Sequence, residues 1–218
     1  MPDKTLLSVQ RALAVARALC FISIFISKFE IIFKAALAMY NHYIFTSQRL
    51  GFRNWANNDV PLMTVINADI DVMEFFPATV TRVQTEQFIE RMQDMFATKG
   101  YCYFAVDRLE DGAFIGFIGL GYQDYDAPFT PCTDIGWRLD KNFWNQGYAT
   151  EGAERCLEYA FEDLKLQNIK AIAPEINTRS INIMQKIGMK KQSDFLHPKL
   201  ADDERLKHCV CYEIGASR

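Results

Sequence analysis

Residues 134–153 read DIGWRLDKNFWNQGYATEGA, and the change of pattern inside this stretch decides the fold. Asp134–Leu139 is β-favouring, with Ile135, Trp137 and Leu139 alternating along it. Beyond Gly147 the apolar residues Ala153, Cys156, Leu157, Ala160, Phe161 and Leu164 fall on one stripe at helical spacing. A strand therefore runs into a helix through a turn of small residues. A helix start carries unpaired N–H groups and the positive end of the dipole. Gly147 can take positive φ at little cost, Ala149 keeps bulk away, and Thr150 adds a hydroxyl. Such a turn suits a phosphate or pyrophosphate; the plainer alternative is a tight turn and nothing more. The stretch has neither G-x-G-x-x-G nor the lysine of G-x-x-x-x-G-K-[ST], so the dinucleotide and Walker readings fail.

The same reading extends outward. Arg49–Arg53 reads as a short strand, and Asp59 and Pro61 open a helix carrying Leu62, Val65 and Ile66. Thr81 and Gln84 have capping-box spacing. Phe88, Met92, Met95 and Phe96 then recur at helical spacing until Gly100. Tyr101–Val106 and Phe114–Leu120 are strands joined by a hairpin at Asp111-Gly112. Ile169–Ala173 is a strand, Asn177 starts a helix with Ile181, Met184 and Ile187 inward, and Cys209–Ile214 is a closing strand. Three successive strands imply antiparallel pairing, and the later strand–helix–strand unit implies a parallel pair. The expected fold is a mixed α/β sheet.

The 218 residues are half hydrophobic with a net charge of −3. That suits one globular domain with an appendage and implies no polyanionic partner, nucleic acid included. Six cysteines and three histidines show no zinc-ligand spacing, so no metal is expected. The cysteines read as reduced, buried thiols of a cytoplasmic protein. Residues 1–45 differ from the rest. Ala18–Ser27 is an apolar run about half the length a membrane-spanning helix needs. The segment reads as a loosely attached helix, as translation from an early start upstream of Met39, or as a membrane-surface tether.

Two blocks carry a family resemblance. DIGWRLDKNFWNQGYATEGA, followed by NTRSINIMQKIGMK at 177–190, resembles the GCN5-related N-acetyltransferases (GNAT), and within them the RimJ/RimL-like ribosomal-protein N-terminal acetyltransferase branch. The resemblance covers roughly residues 46–216. It implies a mostly antiparallel sheet of six to seven strands flanked by about four helices, with 134–139 and 169–174 as the fourth and fifth strands splayed apart. It implies domain boundaries at 1–45 and 46–218, and acetyl-CoA as the co-substrate. Trp144–Ala149 falls on the family's pyrophosphate loop, with Trp in place of its usual Arg or Gln.

The resemblance assigns coenzyme contacts to Trp137, Arg138 and Leu139 on the fourth strand, to Asn145, Gln146, Gly147, Tyr148, Ala149 and Thr150 at the turn, and to Asn177 and Ser180. Asn177 reads equally as an N-cap, and Ser180 as a surface hydroxyl or a contact near the thioester. The implied reaction is direct attack of an amine on the acetyl thioester. Glu175 and Asp134 are the candidate bases; as strand-end charges both have a solvated alternative. The family's proton-donating tyrosine is replaced by Met184. Arg138, Lys141, Arg179, Lys186 and Lys190 surround the two blocks, some facing phosphates and the rest solvent. His197 and His208 are candidates for an acceptor pocket. The acceptor is a protein N-terminus or a small-molecule amine, and the protein a monomer or homodimer. A noncatalytic acyl-CoA-binding module is the competing reading.

Overall fold

The structure is a computed structural model that describes residues 42–216. The expectations for the apolar run at 18–27, for an N-terminal helix and for a start at Met39 lie outside the described residues. The chain divides into Met1–Tyr43 and Ile44–Arg218, and the second unit is the one described below. No helix among the described residues is long and apolar enough to cross a membrane.

In chain order the strands are β1 (Phe45–Thr46), β2 (Leu50–Arg53), β3 (Tyr103–Arg108), β4 (Ala113–Gln123), β5 (Cys132–Leu139), β6 (Asn168–Pro174), β7 (Lys190–Leu196) and β8 (His208–Gly215). The helices are α1 (Asp59–Ala68), α2 (Arg82–Lys99), α3 (Tyr148–Glu158, continued by a π-helical turn over Tyr159–Asp163) and α4 (Thr178–Lys186). They form one open sheet in the order β1-β2-β3-β4-β5-β6-β8-β7. Every neighbouring pair is antiparallel except β5 and β6. The sheet has eight strands rather than six or seven. The extra ones are the two-residue β1 and the edge strand β7, whose exposed sequence Lys-Lys-Gln-Ser-Asp lacks the apolar alternation that marks a half-buried strand. Charged residues are what an unpaired edge requires.

β5 and β6, the fourth and fifth strands of the sequence reading, share a single register pair, Asp134 with Lys170. Beyond it the two parallel strands separate toward their C-terminal ends. The sheet is therefore wedged open, with its apex at Asp134.

Each face of the sheet has its own core. On one, α3 lies so close that a Cβ on Gly152 would sit 2.3 Å from Ile118 Cδ1; Leu50, Phe52, Ala153 and Cys156 are buried. On the other, Trp55, Phe88 and Phe117 meet with ring centroids 5.4–6.5 Å apart. Thr81 and Gln84 form the expected capping box, and Gly100 ends α2 at φ 76°. Of the three apolar residues that the sequence reading names on α1, Ile66 alone is buried. Leu62 and Val65 are exposed at 49% and 68%, while Val60, Met63, Ile66 and Asn67 are buried. The helix is phased by its first residue: Asp59 is buried and takes two hydrogen bonds from Arg53, at 2.7 and 2.8 Å. Asp107 takes two more from the same guanidinium. These bonds hold Arg53 well above its usual range despite its burial.

Candidate active site

The open end of the wedge lies between two helix starts. On the β5 side a 3₁₀ turn at Lys141–Phe143 leads to Trp144, whose indole donates to the Leu139 carbonyl at 2.9 Å. Asn145 and Gly147 have φ of 60° and 84°, which turns the chain sharply before α3. Gly147 caps α3 without a side-chain bond, and Glu151 is the first residue whose N–H reaches back to its carbonyl. Among the described residues no protein acceptor takes the amides of Tyr148, Ala149 and Thr150, so three donors sit at the positive end of the helix dipole. A Cβ on Gly147 would lie 3.4 Å from Arg49 Nη2. Arg49 braces the turn: its Nη1 donates to the Gln146 carbonyl at 3.0 Å, its Nε to Glu151 at 2.6 Å, and its guanidinium lies 4.4 Å over the Tyr148 ring.

On the β6 side Asn177 caps α4, accepting from the Ser180 N–H at 3.1 Å. The N-cap reading of Asn177 therefore holds in the geometry. Met184 is buried at 2% exposure, a packing residue with no proton to give.

The two candidate bases stand far apart. Glu175 is exposed on the turn after β6, roughly 16 Å along the strand from the apex. It borders a 270 Å³ cavity with Asp194, Phe195, Leu196, His208 and Cys209. Asp134 sits at the apex itself and is buried. Tyr103 Oη donates to its Oδ1 at 2.6 Å, and Gln123 Nε2 donates to its Oδ2 at 3.2 Å. Burial pushes the Asp134 carboxyl up to about 6, against these two bonds. Burial and the adjacent carboxylate push the Tyr103 hydroxyl well above its usual range. The Tyr103 ring reaches Asp134 by lying across two glycines: a Cβ on Gly121 would sit 2.6 Å from its Oη, and one on Gly136 3.1 Å from its Cε1.

A strap closes this face. The connection between α1 and α2 crosses the wedge and is tied on both sides. Asp69 and Asp71 each pair with Lys141 at 2.8 Å, Glu74 pairs with Arg179, and Arg205 donates to the Glu74 carbonyl. Two basic residues near the sequence motifs, Lys141 and Arg179, are thus engaged by the strap's acids. Tyr125 packs on His197 with centroids 4.6 Å apart. His208 borders the cavity beside Glu175. Sequence reasoning did not find Tyr103, Gln123, Arg49 or the strap. Asp134, the turn and the Asn177 cap had local signals.

A mixed sheet parted at its one parallel pair, with a bare helix start at the opening and a buried carboxylate at the apex, defines an acyltransferase of the GNAT type. The sequence model of the acetyltransferase (GNAT) domain matches residues 49–190, and the chain belongs to that family and is an enzyme of its acyltransferase class. It is 30% identical over 151 residues to the uncharacterised N-acetyltransferase YnaD of Bacillus subtilis, covering 69% of this chain and 84% of that one. With the uncharacterised N-acetyltransferase p20 of Bacillus licheniformis it shares 25% over 148 residues, 67% and 82% of the two chains. A GNAT-family acetyltransferase from Bacillus anthracis superposes with a TM-score of 0.66 at 26% identity, covering 78% of this chain and 96% of that chain. RimL, the ribosomal L7/L12 alpha-N-protein acetyltransferase in complex with coenzyme A, superposes with a TM-score of 0.64 at 13% identity, covering 79% and 97%. That second likeness is one of fold alone.

Proposed function

We propose that the protein moves an acetyl group from acetyl-CoA to a primary amine, in the manner of the RimJ/RimL-like branch that its two sequence blocks resemble. The observation that carries this reading is the wedge: strands that separate beyond Asp134–Lys170, opening beside the amides of residues 148–150. A pantetheine arm fits between separated strands by bonding to strand main chain, here that of Trp137, Arg138 and Leu139. The Asn145–Thr150 turn suits the diphosphate, with Arg49 beside it, and Asn177 and Ser180 flank the other side. From Leu139 back to Asp134 is roughly 16 Å of strand, so a thioester carried on an extended arm comes to the apex.

There Asp134 is the base. The amine nitrogen attacks the thioester carbon, the C–S bond breaks, and the amine's proton passes to Asp134 directly or through one water. The same carboxyl, with its value near 6, can return a proton to the coenzyme's sulfur, a step Met184 cannot perform. A protein or peptide α-amine has a reference pKa near 8 against about 10.4 for lysine, so it places the smaller demand on such a base. The test is calorimetry with acetyl-CoA, with coenzyme A release followed across a panel of amines. No heat with acetyl-CoA, or no release with any amine, would remove the proposal.

A further inference from the structure

The described residues contain two arginines packed on the α1 side of the sheet, Arg53 buried and Arg138 half-buried, and the fold treats them in opposite ways. Arg53 has two carboxylates, Asp59 and Asp107. Arg138 has no carboxylate within ion-pair distance among the described residues. Its Nη1 donates to Asn67 Oδ1 at 2.6 Å, and its Nε is buried without an acceptor. Its guanidinium lies between the rings of Phe117 at 5.5 Å and Phe76 at 4.1 Å. Burial without an acid lowers it to about 10. The strap that follows Asn67 carries acids, yet it turns each to another cation: Asp69 and Asp71 to Lys141, and Glu74 to Arg179. A half-buried cation held between two rings without an acid is partly desolvated, and a counter-charge would offset that cost.

Its place in the fold says what could. Arg138 is four residues from Asp134 on the same strand and on the same face, about 13 Å away along the backbone. Between them runs a continuous floor. The Tyr103 hydroxyl touches Asp134, the Tyr103 ring stacks on Phe117 at 5.3 Å, and Phe117 supports the guanidinium. The roof over Arg138 is Phe76, a strap residue that is itself 36% exposed. A molecule with its amine at Asp134 extends along this floor toward Arg138.

Resting on the acetyl-transfer reading, we infer that the acceptor carries a carboxylate at the end far from its amine, as a short peptide does, and that Arg138 receives that carboxylate when Phe76 moves off the guanidinium. The planar fork matches a carboxylate with two parallel bonds. The same charge disfavours a polyamine. The other source of an anion is the coenzyme, and the experiment separates the two.

Short peptides are offered as free acids and as carboxamides to the full-length protein and to Arg138→Met, with acetyl-CoA saturating and then varied. The expected result is a kcat/KM at least tenfold higher for acid than for amide in the wild type. In the variant this ratio falls to near one, and Arg138→Lys keeps part of the preference. A wild-type ratio near one, or a preference that survives Arg138→Met, overturns the inference. A raised KM for acetyl-CoA with the acid/amide ratio intact also overturns it and places the anion on the coenzyme. Calorimetric binding of the same acid and amide pairs reads Arg138 without turnover. If no amine is acetylated but the acid still binds tenfold tighter than its amide, the anion site stands while the transfer reading falls. Equal binding removes the anion site. Should Arg138→Met fail to fold, the wild-type ratio and the wild-type binding pair decide.

Discussion

Replacing Asp134 with asparagine separates what this carboxylate costs the fold from what it does for the reaction. Burial lifts its carboxyl from the ordinary 3.8 to about 6, a differential of about 3 kcal/mol between its two protonation states. The folded state thus holds a proton that the unfolded chain has released between these values, so stability falls as pH rises from about 4 to 6. The contribution is whole below the unfolded value and gone above the folded one. At pH 7.5 the ionised group therefore weighs against folding by up to about 3 kcal/mol. Asparagine has the same shape. Its oxygen can accept from Tyr103, and a flipped Gln123 amide can accept from its nitrogen, so the hydrogen bonds survive while the charge goes. Urea unfolding of both proteins from pH 4 to 8 isolates the group as a difference. The variant is expected to gain stability progressively, reaching about 2–3 kcal/mol over the wild type at pH 7.5. Its turnover should fall by about 10²–10⁴, the usual weight of a general base. A variant less stable than the wild type at pH 7.5, or a difference flat with pH, would refute the burial argument. Unchanged turnover would remove Asp134 from the chemistry.

Other consequences are equally open to measurement. Gly121→Ala puts a methyl 2.6 Å from the Tyr103 oxygen and 2.8 Å from Asp134 Oδ1, which breaks a bond that favours the charged carboxylate. The acid limb of the pH–rate profile should then move above 6, and a limb that stays put would count against the Tyr103–Asp134 pairing. Gly147→Val forces a branched residue to φ 84° at a cost of about 1–2 kcal/mol, and initial rates should show KM for acetyl-CoA rising at least tenfold with kcat less affected. Asp59→Ala leaves Arg53 with one acid and should lower the urea-derived stability by about 3–5 kcal/mol. Glu175→Gln should change kcat less than about threefold, in contrast to the 10²–10⁴ expected of a base; a large loss would transfer that role from Asp134 to Glu175.

What could be read from the chain in advance was whatever depends on near neighbours. The strand–turn–helix over 134–164, the capping box at Thr81 and the Asn177 cap are local, and their residues name them. The phase of α1 was not legible, because it depends on Arg53 gripping Asp59 from another element. β7 was invisible because an edge strand is chosen for charge and not for alternation. Asp134 was visible by position, but what distinguishes it from Glu175 is not local. Tyr103 is 31 residues away and Gln123 is 11 away, and both bonds exist only once β3, β4 and β5 are in register. Arg49 stands 97 residues from the carbonyl it holds. The two glycines at 121 and 136 look like weaknesses in their strands until a tyrosine ring is laid across them.

The strap changes how the coenzyme's charge would be met. From the sequence, five basic residues crowd the two motifs and invite a reading in which side chains neutralise the phosphates. In the fold, Lys141 is held by Asp69 and Asp71, Arg179 by Glu74, and Arg138 lies on the α1 face, bonded to Asn67. On the proposed reading the diphosphate is left mainly to the amides of residues 148–150 and to Arg49, itself shared with Glu151. Main-chain donors at a helix start gain little from moving and lose much from being misdirected, because their strength depends on orientation. Recognition of the coenzyme then depends on the backbone angle at Gly147, while the flanking cations serve to hold the strap over the acceptor face. Breaking one of those ion pairs should therefore disturb the acceptor more than the coenzyme.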